Sequence, residues 1–178
     1  MKARDIYNFD NPKFTKLREP SRDVIRFYQN ANRFYDTIQE YVYIEQGMKY
    51  CSQLIHRQAH RFPARFDVFV DMLHERHLMG EYAETPEMNW REELKDMDDV
   101  FSVLIDVLEN IQEALEKFHA VTDNADFRPM ALKTEELMVQ NSADYTKWLE
   151  LWYRYDNEGG SKTSFDSWCK HLLDEEGD

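Results

Sequence analysis

Residues 94–118 read LKDMDDVFSVLIDVLENIQEALEKF. Their apolar side chains recur at alternating steps of three and four residues, which places them on one side of a helix. The series consists of Leu94, Met97, Phe101, Leu104, Leu108, Ile111, Leu115 and Phe118. This segment predicts a long amphipathic helix that packs its apolar side against other helices.

Helical patterns also precede this segment. Apolar spacing predicts a short helix capped by Ser21, a break near residues 30–32 and a main helix over about 33–61. A turn at Phe62–Pro63 then opens a second helix, because proline suits the first helical turn. This second helix is expected to fade near Gly80.

Two further helices are predicted downstream. A turn at residues 123–126 precedes a helix over about 129–155 that is rich in aromatic residues. A sequence containing two adjacent glycines, Gly159 and Gly160, ends it, and a short last helix follows, capped by Thr163 or Ser164.

These elements predict an all-α fold. We expect an antiparallel four-helix bundle over residues 21–157, an N-terminal arm at 1–20, and a linker with a C-terminal helix at 158–178. Residues 84–87 predict the connection between the two halves of the bundle. Gly-rich phosphate loops, nucleophile elbows, Cys-x-x-Cys pairs and His-Glu-x-x-His sequences do not occur in the sequence.

The composition indicates a folded chain without a membrane span. Hydrophobic residues make up 42% of the chain. The sequence contains neither a run of roughly 18–20 apolar residues nor an apolar signal segment at its start. We therefore expect a cytoplasmic protein that does not insert into membranes, in which Cys51 and Cys169 are buried thiols.

Charge is divided unevenly along the chain, whose net charge is −13. Residues 1–65 carry 12 Lys or Arg against 7 Asp or Glu, whereas residues 66–178 carry 10 against 28. This asymmetry favours contacts between copies of the chain or docking on a basic protein partner. Nucleic-acid binding by the bundle is not expected, because neutralising phosphates requires clustered Lys and Arg.

Polar residues on the apolar face of the first main helix are candidate metal ligands. Glu45 falls within the predicted stripe, where its carboxylate either reaches an arginine or solvent, or binds a metal ion. His56 follows three turns later, and His60 comes one turn after it, near the turn at Pro63; a histidine near a helix end is either a surface or capping residue or a ligand. Glu45 and His56 lie about 16 Å apart along one helix, so they cannot share an ion within it.

The second predicted helix holds an acidic cluster with one histidine. Asp67, Asp71, His74 and Glu75 are spaced so that they share one side of the helix. Asp71 and His74 form a shortened relative of the Glu-x-x-His unit of carboxylate-bridged di-iron bundles. The same spacing also suits a solvated charged face. Oxygen and imidazole ligands favour divalent iron, manganese or zinc.

The stretch LIHRQAHRFPARFDVFVDMLHE, residues 54–75, resembles the ferritin-like superfamily, in particular its DNA-protection-during-starvation (Dps) branch. In that branch a histidine ends the first bundle helix, and the second helix opens with another histidine and an acidic residue four positions later. His56 matches the first histidine, Asp71 matches the acid, and Asp67 stands where the second histidine is expected.

The resemblance implies an iron-storage protein or a ferroxidase that oxidises ferrous iron with peroxide or oxygen. It also implies a homo-oligomer, a hollow shell in which iron binds between two subunits. The implied ligands are His56, Asp67 and Asp71 of one subunit, completed by a carboxylate such as Glu75 or Glu81 of a neighbour.

A second interpretation is a non-catalytic acidic interaction protein. The net charge of −18 after residue 65 is concentrated on predicted helices, where it could occupy the basic groove of a partner or mimic nucleic acid. Bound iron favours the first interpretation. Salt-sensitive binding to a basic protein, without iron, favours the second.

Overall fold

The structure is a computed structural model that describes residues 9, 11–82 and 94–175. These residues form helices and connecting turns, with no strand among them, which confirms the all-α fold class. The helices are α1 (Arg18–Ile44), α2 (Lys49–Ala59), α3 (Arg61–His74), α4 (Met97–Thr122), α5 (Arg128–Asn157) and α6 (Lys162–Glu175). The connection predicted at residues 84–87 lies outside the described residues.

Helix α4 forms where the apolar spacing predicts it. The Asp96 side chain caps its first turn by accepting a hydrogen bond from the backbone N–H of Asp99 (3.0 Å). Asp98 and Asp99 also place negative charge at the positive end of the helix dipole. All of the predicted stripe from Leu94 to Phe118 is buried.

Helix α1 begins earlier than predicted. Its first residue is Arg18, inside the segment expected as an arm, and Leu17 and Phe9 before it are buried in the core. Ser21 does not cap the helix, because its hydroxyl donates to the carbonyl of Arg18 (2.9 Å) from within the first turn. Residues 1–8 and 10 lie outside the described residues.

The predicted break at residues 30–32 is wrong, because α1 continues through them with Asn30 and Ala31 buried. The chain turns instead at residues 45–48, where Gly47 has φ +68°. A left-handed backbone favours glycine and ends the helix. Glu45 is therefore the C-cap of α1 and not part of a continuous apolar stripe.

Helix α3 contains Pro63 in its first turn, as predicted, but it ends well before Gly80. His77 has φ +59°, the backbone N–H of His77 donates to His74 O (2.8 Å), and that of Leu78 donates to Leu73 O (3.0 Å). This pair of bonds is the Schellman motif that closes helix ends. A histidine occupies the position where glycine is usual.

The long helices pack side by side around one core. Helix α1 contacts α2, α3 and α4, and α4 packs along α5. The hydroxyl of Tyr35 in α1 donates to the carbonyl of Leu104 in α4 (2.9 Å), and its ring meets Trp148 of α5 edge-on. Among the described residues, no helix has the length and apolar character needed to cross a membrane.

Helix α6 docks on the start of α2. One carboxylate oxygen of Asp166 accepts hydrogen bonds from the backbone N–H groups of Tyr50 and Cys51, both at 2.8 Å. These N–H groups have no partner within α2, so α6 supplies the cap. Cys51 and Cys169 are buried free thiols, as predicted. Their mutual hydrogen bond, together with burial, raises the pKa of Cys51 well above its ordinary value.

Candidate functional site

The predicted metal ligands of α2 and α3 lie on the outer surface. His56, Asp67, Asp71 and His74 are all exposed. His56 approaches His60, whose Nε2 is 3.0 Å from its own. The structure brings neither Asp67 nor Asp71 to this pair as a metal-binding group.

The other predicted ligands are carboxylates at helix ends or beyond them. Glu45 is exposed at the end of α1. Glu75 forms an ion pair with Lys133 of α5 (2.9 Å), and Glu81 forms one with Arg18 (2.8 Å). Within residues 9, 11–82 and 94–175, three or more His, Cys, Asp or Glu side chains do not come together as a metal site of one chain.

A buried ionic cluster joins α2 and α3 to α5. Asp144 of α5 is 3% exposed, and its Oδ2 forms an ion pair with Arg65 (2.5 Å) and accepts a hydrogen bond from Gln58 (2.6 Å). Its Oδ1 accepts another from Arg61 (2.8 Å). Arg65 is itself 7% exposed and donates from Nε to Gln140 Oε1 (3.2 Å).

This cluster is structural. The lone pairs of the Asp144 carboxylate are directed at guanidinium and amide donors, so the carboxylate is not available to a metal ion. The cluster was not predicted from the sequence. Gln58, Arg61 and Arg65 recur at steps of three and four, which was the available signal, but Arg61 and Asp144 are 83 residues apart.

An acidic groove runs between α4 and α5. Its volume is about 410 Å³, and its walls include three exposed carboxylates, Glu109, Glu113 and Glu116. The remaining lining residues are Gln112, Asn141, Ser142 and Tyr145. Helix α4 as a whole carries six Asp or Glu but only one Lys, which is Lys117. The groove therefore has a strongly negative wall on the α4 side.

Asn141 forms the floor of the groove and is 1% exposed. Its Nδ2 donates to the carbonyl of Leu108 (2.9 Å) and to Gln112 Oε1 (3.2 Å). Its Oδ1 is buried and has no hydrogen-bond partner among the described residues. A buried polar atom of this kind normally finds a donor. Asn141 thus contributes a buried amide group to the lining of the groove.

The electrostatics of this wall favour cations. Burial, and then the nearby Glu109 carboxylate, raise the pKa of Asp106, one turn before Glu109. The hydroxyl of Tyr145 donates to Glu109 Oε1 (3.0 Å), and this bond raises the pKa of Tyr145. Negative charges that raise the pKa values of their neighbours also attract a positive group. The uneven charge of the sequence predicted acidic helices after residue 65, but it did not predict a groove between α4 and α5.

No protein-family model matches this chain, and no curated protein sequence matches it either.

Proposed function

We propose that this chain is a non-catalytic interaction protein that binds a basic protein partner in the groove between α4 and α5. The three exposed carboxylates of Glu109, Glu113 and Glu116 along one groove carry this proposal. The groove offers carboxylate acceptors along one wall. A basic side chain offers only donors, so the two are complementary.

Arginine is the side chain that fits best. Its guanidinium presents five N–H donors in a planar fork, enough to bond more than one carboxylate of the wall at once. A volume of about 410 Å³ accommodates one long side chain. The net charge of −13 adds long-range attraction for a basic partner.

Binding of a fluorescein-labelled deca-arginine peptide, followed by fluorescence anisotropy at low and physiological salt, tests the proposal. The groove variant carries Glu109→Gln, Glu113→Gln and Glu116→Gln. Each substitution removes acceptors for charge-assisted hydrogen bonds, and together they should weaken binding by at least about tenfold.

The matched control carries Glu40→Gln, Glu136→Gln and Asp156→Asn, three exposed carboxylates outside the groove. It changes net charge by the same amount. Equal weakening in both variants would show that the peptide senses only overall charge, which contradicts a groove site. Circular dichroism of both variants confirms that the helices are intact.

A ferritin-like bundle is our second candidate, and the order of the helices supports it. Helices α1 and α2 are joined by residues 45–48 and helices α4 and α5 by residues 123–127, whereas the long segment 75–96 links the two pairs. Ferritin-like folds have short connections within pairs and one long crossover between them. Helices α2 and α3, separated only by His60, would then act as one kinked bundle helix.

Iron binding in this second candidate requires a homo-oligomer. His56, Asp67, Asp71 and His74 are exposed on one chain, so a second copy would have to complete the site. Ferrous iron uptake and size-exclusion chromatography of the full chain test it together. Asp71→Ala should abolish uptake without loss of helicity. A monomer without iron uptake would eliminate the ferroxidase and storage functions.

A further inference from the structure

Two histidines face each other at the junction of α2 and α3. His56 lies in the last turn of α2, and His60 is the residue between the two helices. Their Nε2 atoms are 3.0 Å apart, and the ring planes are at 84°. At this distance one Nε2–H donates to the lone pair of the other. Both residues are exposed, so their paired nitrogens are accessible from solvent.

We propose that His56 and His60 bind one divalent transition-metal ion, Cu²⁺, Ni²⁺ or Zn²⁺, through both Nε2 atoms. Neutral imidazole is a good ligand for these ions. With metal–nitrogen distances of about 2.0–2.1 Å, the 3.0 Å separation corresponds to an angle of about 94° at the metal. This angle suits the adjacent positions of tetragonal Cu²⁺ or Ni²⁺. Tetrahedral Zn²⁺ requires a separation of about 3.3 Å, a small adjustment of exposed side chains.

Asp36 of α1 lies beside the second ring nitrogen of His56, where its carboxylate would position the ring. Its Oδ1 is 3.7 Å from His56 Nδ1, on the side of the ring away from His60. A carboxylate near the second nitrogen of a ligating histidine favours the Nδ1–H tautomer and leaves Nε2 free for the metal. His60 then carries the shared Nε2 proton in the metal-free chain. When the ion binds, this proton leaves to water and Nδ1 of His60 takes one up, so both rings remain neutral.

The pair differs from the other metal candidates in this chain. It requires one chain only, whereas the predicted iron site requires two. It involves none of the groove residues, and it does not rest on the proposed function. Water molecules would fill the remaining coordination positions, as they do in open metal sites.

Calorimetric titration of the full, metal-free chain with NiCl₂ and ZnCl₂ tests this proposal. We expect one ion per chain. His60→Ala and His56→Ala should each weaken binding roughly 100-fold, because the second imidazole binds intramolecularly once the first is engaged. His171→Ala is the matched control, an exposed histidine that pairs with Glu175 four residues later, at 3.4 Å. Absence of binding, or equal affinities of His60→Ala and His171→Ala, would overturn the proposal.

Two further measurements locate the ion. Electron paramagnetic resonance of the Cu²⁺-loaded chain should show two nitrogen ligands, and His60→Ala should reduce them to one. Asp71→Ala should leave Ni²⁺ affinity unchanged. Loss of affinity in Asp71→Ala would assign the ion to the predicted iron ligands and overturn the histidine site.

The positioning role of Asp36 has its own test. Asp36→Asn should weaken Ni²⁺ binding by about 10-fold to 100-fold while the chain still binds one ion through two nitrogens. Unchanged affinity would overturn this role for Asp36. The copper spectrum separates it from a general loss of structure, which would remove the two-nitrogen signature as well.

Discussion

Asp144→Ala tests whether the buried ionic cluster stabilises the fold. The substitution leaves Arg65, which is 7% exposed, without its carboxylate, and Gln58, which is 3% exposed, without its acceptor. Removing one partner of a buried ion pair costs about 3–5 kcal/mol. This is a large share of the total stability of a domain, which is about 5–15 kcal/mol. Arg61 contributes less, because it is 44% exposed and turns to solvent.

Urea unfolding followed by circular dichroism measures the effect. With a slope of about 2 kcal/mol per molar urea, the midpoint should fall by roughly 1.5–2.5 M. Glu136→Ala is the control, since it removes an exposed carboxylate from the same helix. The slope should stay the same in both variants if unfolding remains two-state.

A double variant distinguishes the loss of the ion-pair attraction from the cost of leaving the buried guanidinium of Arg65 without a partner. Adding Arg65→Met to Asp144→Ala removes the uncompensated guanidinium, so the double variant should be more stable than Asp144→Ala alone. If Asp144→Ala loses less than about 1 kcal/mol relative to Glu136→Ala, the cluster is not a stabilising feature, and the reasoning fails.

Three other outcomes follow from the structure. Asp166→Ala removes the cap of α2 and should lower the free energy of unfolding by about 1 kcal/mol in thermal melts. Asp174→Ala, which removes an exposed carboxylate from the same helix as Asp166, should not lower it. Gly47→Ala should cost about 1–2 kcal/mol by the same measurement, because φ is +68° while an added Cβ meets nothing within 4 Å among the described residues. Burial and Glu109 raise the pKa of Asp106, so its ionised form destabilises the fold as pH rises through that pKa. Asp106→Asn should therefore raise the free energy of unfolding at pH 7. The difference between variant and parent should vanish near pH 3, where the Asp106 carboxyl is protonated in both the folded and the unfolded chain. An equal difference at both pH values contradicts this.

The sequence predicts the helices whose ends carry clear chemical signals. The alternating apolar steps identify α4, and α5 was expected to end near two glycines, of which Gly159 has φ +62°. The turn between α1 and α2 was missed because Val42 and Met48 are both buried on either side of it. Apolar spacing continues across the turn, so periodicity alone does not detect a reversal. Gly47 was the local signal.

The candidate sites were harder to predict than the helices. The spacing of residues shows which side chains share a helical face, but it does not show which other helix that face contacts. Glu109 of α4, for example, accepts a hydrogen bond from Tyr145 of α5, which is 36 residues away in the sequence. Negative charge on the helices after residue 65 was predicted, whereas the buried environment of Asn141 depends on how α4 and α5 align. His56 was predicted as a ligand. Its pairing with His60 depends on a rotamer and on where α2 ends.

The cap that Asp166 provides has a consequence for synthesis of the chain. Its two hydrogen bonds reach backward over 116 and 115 residues to the first turn of α2. A nascent polypeptide leaves the ribosome N-terminus first, so α2 emerges long before the residue that completes it. The first turn of α2 therefore lacks its cap until α6 has been translated. A chain truncated before α6 would therefore lack that helix and would also leave the first turn of α2 without its cap.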